Sequence, residues 1–236
     1  MQNKIQILST KKISDSLIRL ADENNICIDQ LSFIETEESV SEEIKNRISE
    51  LSKQHITAVF TSSNAASALG KLVAAETNWK IFCIEPATKK TVEHIFKNSS
   101  IAGTGKDAQE LAKKIINDKS VKEVIFFCGN QRRHLLPEQL KNNGINVKEL
   151  VVYRTVEKPQ IVSKKYDGIL FFSPSAVRSF FAKNKPDTTS QIFATGKTTN
   201  EEVKRFLHNK TVISEIPGTE KLIDEVIKYF SAIKTV

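Results

Sequence analysis

The stretch Phe171-Phe172-Ser173-Pro174-Ser175-Ala176 has a counterpart 111 positions earlier, Phe60-Thr61-Ser62-Ser63-Asn64-Ala65. In both, an apolar run ends in a small polar turn that opens onto a helical pattern. The same offset lays Phe82-Cys83-Ile84-Glu85-Pro86-Ala87-Thr88 on Phe193-Ala194-Thr195-Gly196-Lys197-Thr198-Thr199, and it pairs Val92 with Val203, Leu111 with Leu222 and Ile116 with Ile227 without a gap. An offset of 119 pairs Ile7-Leu8 with Phe126-Phe127, Leu17 with Leu136, Ile26 with Ile145, Ile28 with Val147, Leu31 with Leu150 and Thr36 with Thr155. The chain therefore reads as a tandem duplication in which βαβ, then βαβαβα, occurs twice.

Short runs rich in β-branched and aromatic residues read as buried parallel strands: Lys4 to Ser9, Ala58 to Thr61, Lys80 to Ile84, Val124 to Cys128, Gly168 to Phe172, Ile192 to Ala194 and Thr211 to Ile213. The segments between them carry helix starts. Ser39-Val40-Ser41-Glu42 looks like a capping box ahead of the stripe Ile44, Ile48, Leu51; Thr199 to Glu202 looks like another ahead of Val203, Phe206, Leu207; Pro174 suits a first helical position. Strands alternating with helices predict a doubly wound α/β sheet in each half. The repeat leaves the pairing of halves open. Continuous domains would divide near Lys119, whereas an interleaved arrangement would combine 1–34 with 158–236 against 38–150. In that case Ser32–Glu37 and Val151–Lys158, equivalent under the second offset, would form a two-stranded connector.

At 236 residues, the chain has the length of one or two whole domains rather than a fragment. Apolar residues at 39% and charged residues at 27% exclude disordered and collagen-like chains. The longest apolar stretches, such as Ala65 to Ala75, are broken by Ser67 and Lys71, short of the ~20 residues of a membrane helix. Met1 to Lys12 is polar and enters Ile5-Gln6-Ile7-Leu8 without an apolar signal region, so a cytoplasmic location is expected. Cys27, Cys83 and Cys128 each lie inside an apolar run, as buried thiols do in a reducing compartment, and fit neither a disulfide frame nor a zinc site. The net charge of +7 favours an anionic partner. No run of five basic residues and no aromatic interleaving is present, so a small polyanion fits better than nucleic acid.

Open parallel sheets bind ligands beyond the carboxyl ends of their strands, where helix N-termini offer unpaired N–H groups. Four small polar turns fall there: Ser62-Ser63-Asn64, Gly129-Asn130, Ser173-Pro174-Ser175 and Gly196-Lys197-Thr198-Thr199. Such residues also simply cap helices, at about 1 kcal/mol each; four on one edge of a basic protein point as well to an anion site. Arg132-Arg133 opens a predicted helix, where two cations oppose the dipole unless an anion binds between them and the turn; a solvated basic pair fits equally well. Gly103-Thr104-Gly105-Lys106-Asp107-Ala108 has the letters of a dinucleotide fingerprint but lies late in its domain, and reads as a strand-to-helix turn capped by Asp107. The four histidines have no metal-ligand spacing, and no G-x-S-x-G elbow, activated cysteine or carboxylate pair occurs, so ordinary hydrolase and oxidoreductase chemistry is unsupported.

Taken in order, Thr61-Ser62-Ser63-Asn64-Ala65, Cys128-Gly129-Asn130-Gln131-Arg132-Arg133, Val152-Tyr153-Arg154-Thr155, Phe171-Phe172-Ser173-Pro174-Ser175-Ala176-Val177 and Ala194-Thr195-Gly196-Lys197-Thr198-Thr199 resemble the uroporphyrinogen-III synthase family across roughly residues 4 to 230. The resemblance implies two flavodoxin-like lobes of the interleaved kind, joined by connector strands at 32–37 and 151–158, with the site in a cleft between them. It implies a lyase of haem biosynthesis that closes hydroxymethylbilane, a linear tetrapyrrole with eight carboxylates, into a macrocycle while inverting ring D and losing water. No cofactor, metal, nucleic acid or membrane is implied, and a monomer is expected.

By the same resemblance, Tyr153 is the catalytic candidate, assisting departure of the hydroxyl. Ser173, Ser175, Thr198 and Thr199, with Ser62, Ser63, Asn64, Gly129 and Arg133, are the candidates for holding carboxylates. One departure stands out: where the family has Gly-x-x-Thr in the N-terminal repeat, this chain has Glu85-Pro86-Ala87-Thr88, and a carboxylate there repels an anion. A non-catalytic binding or sensor protein on the same scaffold, or a phosphosugar-type α/β protein, would share the turns; Tyr153 together with Ser173-Pro174-Ser175 favours the synthase over both.

Overall fold

In the computed structural model, which describes residues 4–37, 40–73, 77–208, 211–214 and 218–233, the apolar runs form parallel strands covered on both faces. In chain order the elements are β1 (Ile5–Ser9), α1 (Asp15–Glu23), β2 (Ile26–Gln30), β3 (Ile34–Glu37), α2 (Glu42–Ser52), β4 (Thr57–Phe60), α3 (Ser63–Gly70), β5 (Lys80–Ile84) and α4 (Ala87–Ile95). There follow β6 (Ser100–Gly105), α5 (Ala108–Asn117), β7 (Glu123–Gly129), α6 (Leu135–Asn142), β8 (Asn146–Glu157), β9 (Gly168–Phe171), α7 (Pro174–Phe181), β10 (Gln191–Ala194), α8 (Lys197–Lys204), β11 (Thr211–Ile213) and α9 (Thr219–Ile233). The chain divides into two compact units: Met1–Glu35 with Val156–Val236, and Thr36–Thr155. The strands β2, β6 and β8 were not among the apolar runs read from the sequence. β2 ends in the polar pair Asp29-Gln30, β6 carries Gly103 and Gly105 among polar residues, and β8 is half polar, with alternating exposure along its length.

The first sheet has the order β11-β10-β9-β1-β2 and the second β3-β8-β7-β4-β5-β6. Under the two sequence offsets, β9, β10 and β11 correspond to β4, β5 and β6, and β1 and β2 to β7 and β8. The two sheets thus share one flavodoxin-like order, to which β3 is added in the second. The segments where the chain crosses between units, β3 and the end of β8, belong to that sheet as neighbours, and Lys158 N donates to Phe33 O at 2.9 Å just beyond them.

Strand periodicity distributes the core. In the first unit Ile7, Leu170 and Phe193 face α1 and α9, while their neighbours Leu8, Ile169, Phe171 and Ile192 face α7 and α8. In the second, Phe60, Ile81, Cys83 and Phe127 pack under α2, α3 and α4, and Val59, Phe82, Phe126 and Cys128 under α5 and α6. A strand buried on both faces must be apolar at every position, which is why these runs are continuous rather than alternating. Among the described residues no helix is long and apolar enough to cross a membrane.

Helix starts explain where the turns lie. Ser41, Ser62, Asp107 and Ser173 each accept a hydrogen bond from a backbone N–H in the first turn that follows, and Pro174 occupies the first turn of α7. Ser39, part of the expected capping box, lies outside the described residues. The second expected box is corrected: α8 begins at Lys197 rather than after Thr199, because Gly196 at its N-cap adopts φ +79°, a left-handed conformation that glycine reaches without strain. Thr199 is thereby the third helical residue, and Glu202 pairs with Arg178 and Arg205 at 3.6 and 3.2 Å.

Two predictions concern this core. Trp79 is fully buried, stacks on Phe96 and Phe127 at 5.5 and 5.4 Å, and donates its indole N–H to Leu51 O at 3.1 Å. Trp79→Phe, which removes that side-chain hydrogen bond while Gln54 N still donates to the same carbonyl, should cost about 0.5–1.5 kcal/mol, and Trp79→Ala about 3–5 kcal/mol, read from the urea midpoint. Burial pushes the Cys83 thiol up to about 11 and Cys128 to about 12, whereas Cys27 is half-exposed. Because the thiolate is the nucleophile, an aromatic disulfide reagent at neutral pH should label Cys27 in the native protein and the other two only after denaturation, as mapped by mass spectrometry.

Candidate functional site

Ligands of an open parallel sheet bind where the strand order reverses. In the second sheet that point lies between the carboxyl ends of β7 and β4. Pairing of β8 with β7 shifts register between Cys128 and Gly129, so Gly129 lies opposite Tyr153. A Cβ at Gly129 would fall 2.4 Å from Tyr153 Cζ and 2.8 Å from its Oη. Only the absence of a side chain lets the ring lie there. The Tyr153 hydroxyl donates to Ser62 Oγ at 3.2 Å, and the same Ser62 oxygen accepts from Asn64 N at 3.2 Å, capping α3. Ser62, Gly129 and Tyr153, far apart in sequence, are thus brought together. Ser63 is half-buried at the first position of α3, and Asn64 is exposed.

Asn130 has a role the sequence did not reveal. Its backbone N donates to Tyr153 O at 3.3 Å, while its side-chain amide accepts from Thr155 N at 2.8 Å and donates to Thr155 O at 3.4 Å. The amide imitates a further strand residue and extends the pairing of β7 with β8 past Gly129. Of the pair Arg132-Arg133, the first is already matched within the protein. Both lie in the turn ahead of α6, and the Arg132 guanidinium is ion-paired with Glu149, which Lys141 also approaches at 3.5 Å. Arg132 is therefore already neutralised, so no anion is required between the two arginines. Arg133 is exposed.

In the first sheet the reversal lies between β1 and β9. Ser173 follows β9, caps α7 by accepting from Ala176 N at 3.2 Å, and shares a hydrogen bond with Ser175 at 3.1 Å. Ser175 is buried, so its hydroxyl lies behind that of Ser173. On the next strand, β10, Gly196 leads into Thr198, exposed, and Thr199, buried. A Cβ at Gly196 would meet nothing within 4 Å, which leaves the backbone there open to approach. Flanking this turn, the buried atoms Thr195 Oγ1 and Asn200 Oδ1 have no hydrogen-bond partner among the described residues. The equivalent turn in the second unit is closed by its own chemistry: Thr104 Oγ1 donates to Glu85 Oε2 at 2.9 Å.

The sequence reading also missed Lys11, two residues past the end of β1. Its ammonium donates to Thr219 Oγ1 at 2.8 Å and lies 4.4 Å from the centre of the Phe172 ring, and burial lowers its pKa. The available signal was a basic residue one position past the polar pair Ser9-Thr10 that ends an apolar strand. Among the described residues no cluster of His, Cys, Asp or Glu could hold a metal ion.

A family described as "Uroporphyrinogen-III synthase HemD" matches residues 15–224. The chain belongs to the uroporphyrinogen-III synthase family. A relative, the uroporphyrinogen-III synthase of Saccharomyces cerevisiae (strain ATCC 204508 / S288c), is 26% identical over 207 residues, 74% of this chain and 70% of that protein. Crystal structures of uroporphyrinogen III synthases show the same fold. A mutant of the Thermus thermophilus protein aligns over 98% of this chain and all of its own, with TM-score 0.66 at 14% identity. The Helicobacter pylori 26695 protein aligns over 95% and 99%, with TM-score 0.67 at 15% identity.

Within this family member the Gly129–Tyr153 contact makes a sharp prediction. Gly129→Ala forces the ring away and should cost about 1–3 kcal/mol of stability through overpacking. In a Tyr153→Ala background, where no ring stands in the way, most of that cost should disappear. Additive losses in the denaturant-measured cycle would mean the ring does not determine the glycine.

Proposed function

We propose that this chain catalyses the reaction of its family, closing hydroxymethylbilane to uroporphyrinogen III with inversion of ring D and loss of water. The observation that carries this reading is the conjunction of a family match over residues 15–224 with a tyrosine hydroxyl at the strand-order reversal, 3.2 Å from Ser62. The chemistry needs little from the protein. A hydroxymethylpyrrole expels its hydroxyl with electron density from its own ring nitrogen. A phenol O–H directed at the departing oxygen stabilises the charge that develops there and supplies the proton that makes it water. To do so Tyr153 exchanges its bond to Ser62 for one to the substrate. Holding the two ends of a flexible chain in one orientation supplies the remaining selectivity, by removing rotational freedom before ring closure.

In the same reading, Ser62, Ser63, Asn64, Gly129 and Arg133 on the second unit, and Ser173, Ser175, Thr198 and Thr199 on the first, receive the substrate's carboxylates. The open Gly196 turn and the N-terminus of α8 support this for Thr198. Buried Thr199 and Ser175 act one layer back, by fixing the turns. We further propose a monomer working in the cytoplasm without a nucleic-acid partner. Cys83 and Cys128, buried free thiols, accord with a reducing compartment.

The test is to supply enzymatically made hydroxymethylbilane and separate the oxidised products, with an excess of isomer III over spontaneous isomer I as the expected result. Tyr153→Phe should then slow turnover by about 10²–10⁴-fold with the unfolding temperature nearly unchanged; unaltered kinetics would reduce Tyr153 to a packing role. Thr198→Ala should weaken product binding by roughly tenfold, the worth of one hydrogen bond to a charged group. Thr88→Ala should do far less, because Glu85 occupies the equivalent turn. Equal losses at Thr88 and Thr198 would show that Glu85 does not exclude the ligand.

A further inference from the structure

We infer that Lys11 is a substrate-binding residue: its ammonium, at the strand-order reversal of the first sheet, receives a carboxylate of the ligand. The inference rests on the reading above only for the identity of that ligand. Its own ground is an electrostatic arrangement that is unfavourable as it stands. Lys11 follows β1, and Phe172, over which its ammonium lies at 4.4 Å, follows β9. These two strand ends flank the crevice where a parallel sheet of this order takes its ligand. The ammonium's hydrogen-bond partner is Thr219 Oγ1 at 2.8 Å, on the first residue of α9. A fifteen-residue helix carries a partial positive charge at that end, so a cation there is repelled rather than held.

Among the described residues, the face of the Phe172 ring offsets part of this repulsion. Among the described residues no carboxylate lies within ion-pairing distance of Lys11. Glu220, the acidic residue in the first turn of α9, is exposed and makes no ion pair with it. The other polar groups of the strand end are engaged internally: Ser9 Oγ donates to Lys11 O at 2.6 Å and Thr10 Oγ1 to Leu170 O at 2.7 Å. A half-buried cation and a helix N-terminus meet at the strand-order reversal of the first sheet. A ligand carboxylate relieves both costs together. Lys11 occupies the position in the first repeat that Asn130 occupies in the second, so one repeat uses this position to fix a strand and the other to offer a charge.

The structural alternative, a staple between β1 and α9, predicts the opposite responses. Lys11→Met should raise KM for hydroxymethylbilane and the Kd for uroporphyrin III, the stable oxidised product, by about tenfold or more, with a smaller change in kcat. It should leave the unfolding temperature unchanged or higher, because the ligand-free protein loses an unfavourable charge. Lys11→Arg, which keeps the charge, should restore binding to within a few-fold. A lower unfolding temperature with KM and Kd unmoved would overturn the inference and make Lys11 a staple. If the wild-type protein forms no excess of isomer III yet binds uroporphyrin III in a Lys11-dependent way, the synthase reading falls and the anion site stands. If binding is absent or independent of Lys11, the anion site falls.

Discussion

A β-carbon at Gly129 would sit 2.4 Å from the Tyr153 ring, and from that exclusion the carboxyl edge of the second sheet takes its form. The ring can lie across the end of β7 only where the facing strand has no side chain. The register shift at Cys128 and Gly129 brings the two residues opposite one another. The side-chain amide of Asn130 then carries the ladder on to Thr155, so that the pairing continues while the tyrosine leans across. With the ring so placed, the hydroxyl reaches Ser62 on the neighbouring strand end, and Ser62 is fixed in turn by capping α3. Glycine, asparagine, tyrosine and serine here form one geometric chain in which each member sets the next.

The duplicated architecture shows how far two copies of one topology can diverge at their edges. Their strand orders coincide and their first turns carry equivalent capping serines, Ser62 and Ser173, since every helix that follows a strand needs its first N–H groups satisfied. The second turns do not coincide. Gly196 leaves the N-terminus of α8 open, while Glu85 places a carboxylate at the corresponding point and engages it with Thr104. A negative charge there opposes any anion that would use the start of α4. In the proposed reading, this asymmetry gives the carboxylates to the first unit and leaves the hydroxyl of Tyr153 to the second.

Much of this was legible in the sequence, for reasons that have a physical basis. Strands buried on both faces must be apolar throughout, so β4, β7, β9 and their neighbours stand out as runs; short polar side chains that cap the following helices end such runs, so Ser62, Ser173 and Asp107 could be placed. The unreadable features depend on contacts between distant residues. Arg132 looks like an unopposed cation until Glu149, on the adjacent strand, is seen beside it. Asn130 looks like a turn residue, and its pairing with Thr155 follows only from the register of β7 and β8. The start of α8 was misjudged because a Thr-to-Glu spacing imitates a capping box, whereas the φ of Gly196 sets the true beginning. Strand β8 was legible only in part, as the connector stretch 151–158, because much of its length is half-exposed and polar.

The net charge of +7 is a poor guide to where an anion is held. Many surface cations are already matched: Lys45 with Glu42, Lys148 with Glu123, Lys158 with Glu35, Lys164 with Asp29 and Lys165 with Asp187. Exposed pairs of this kind contribute at most about 1 kcal/mol and are screened by salt. What distinguishes the carboxyl edges of the two sheets is the arrangement of fixed dipoles. The N-termini of α3, α7 and α8 all follow strands there, and Gly196 leaves the backbone at the last of them open. Backbone N–H groups fixed in position need little reordering when a carboxylate arrives, whereas a flexible surface lysine must give up rotamer freedom for each contact. A protein that must hold a long, highly charged and flexible substrate in a single orientation gains more from such rigid donors than from additional lysines.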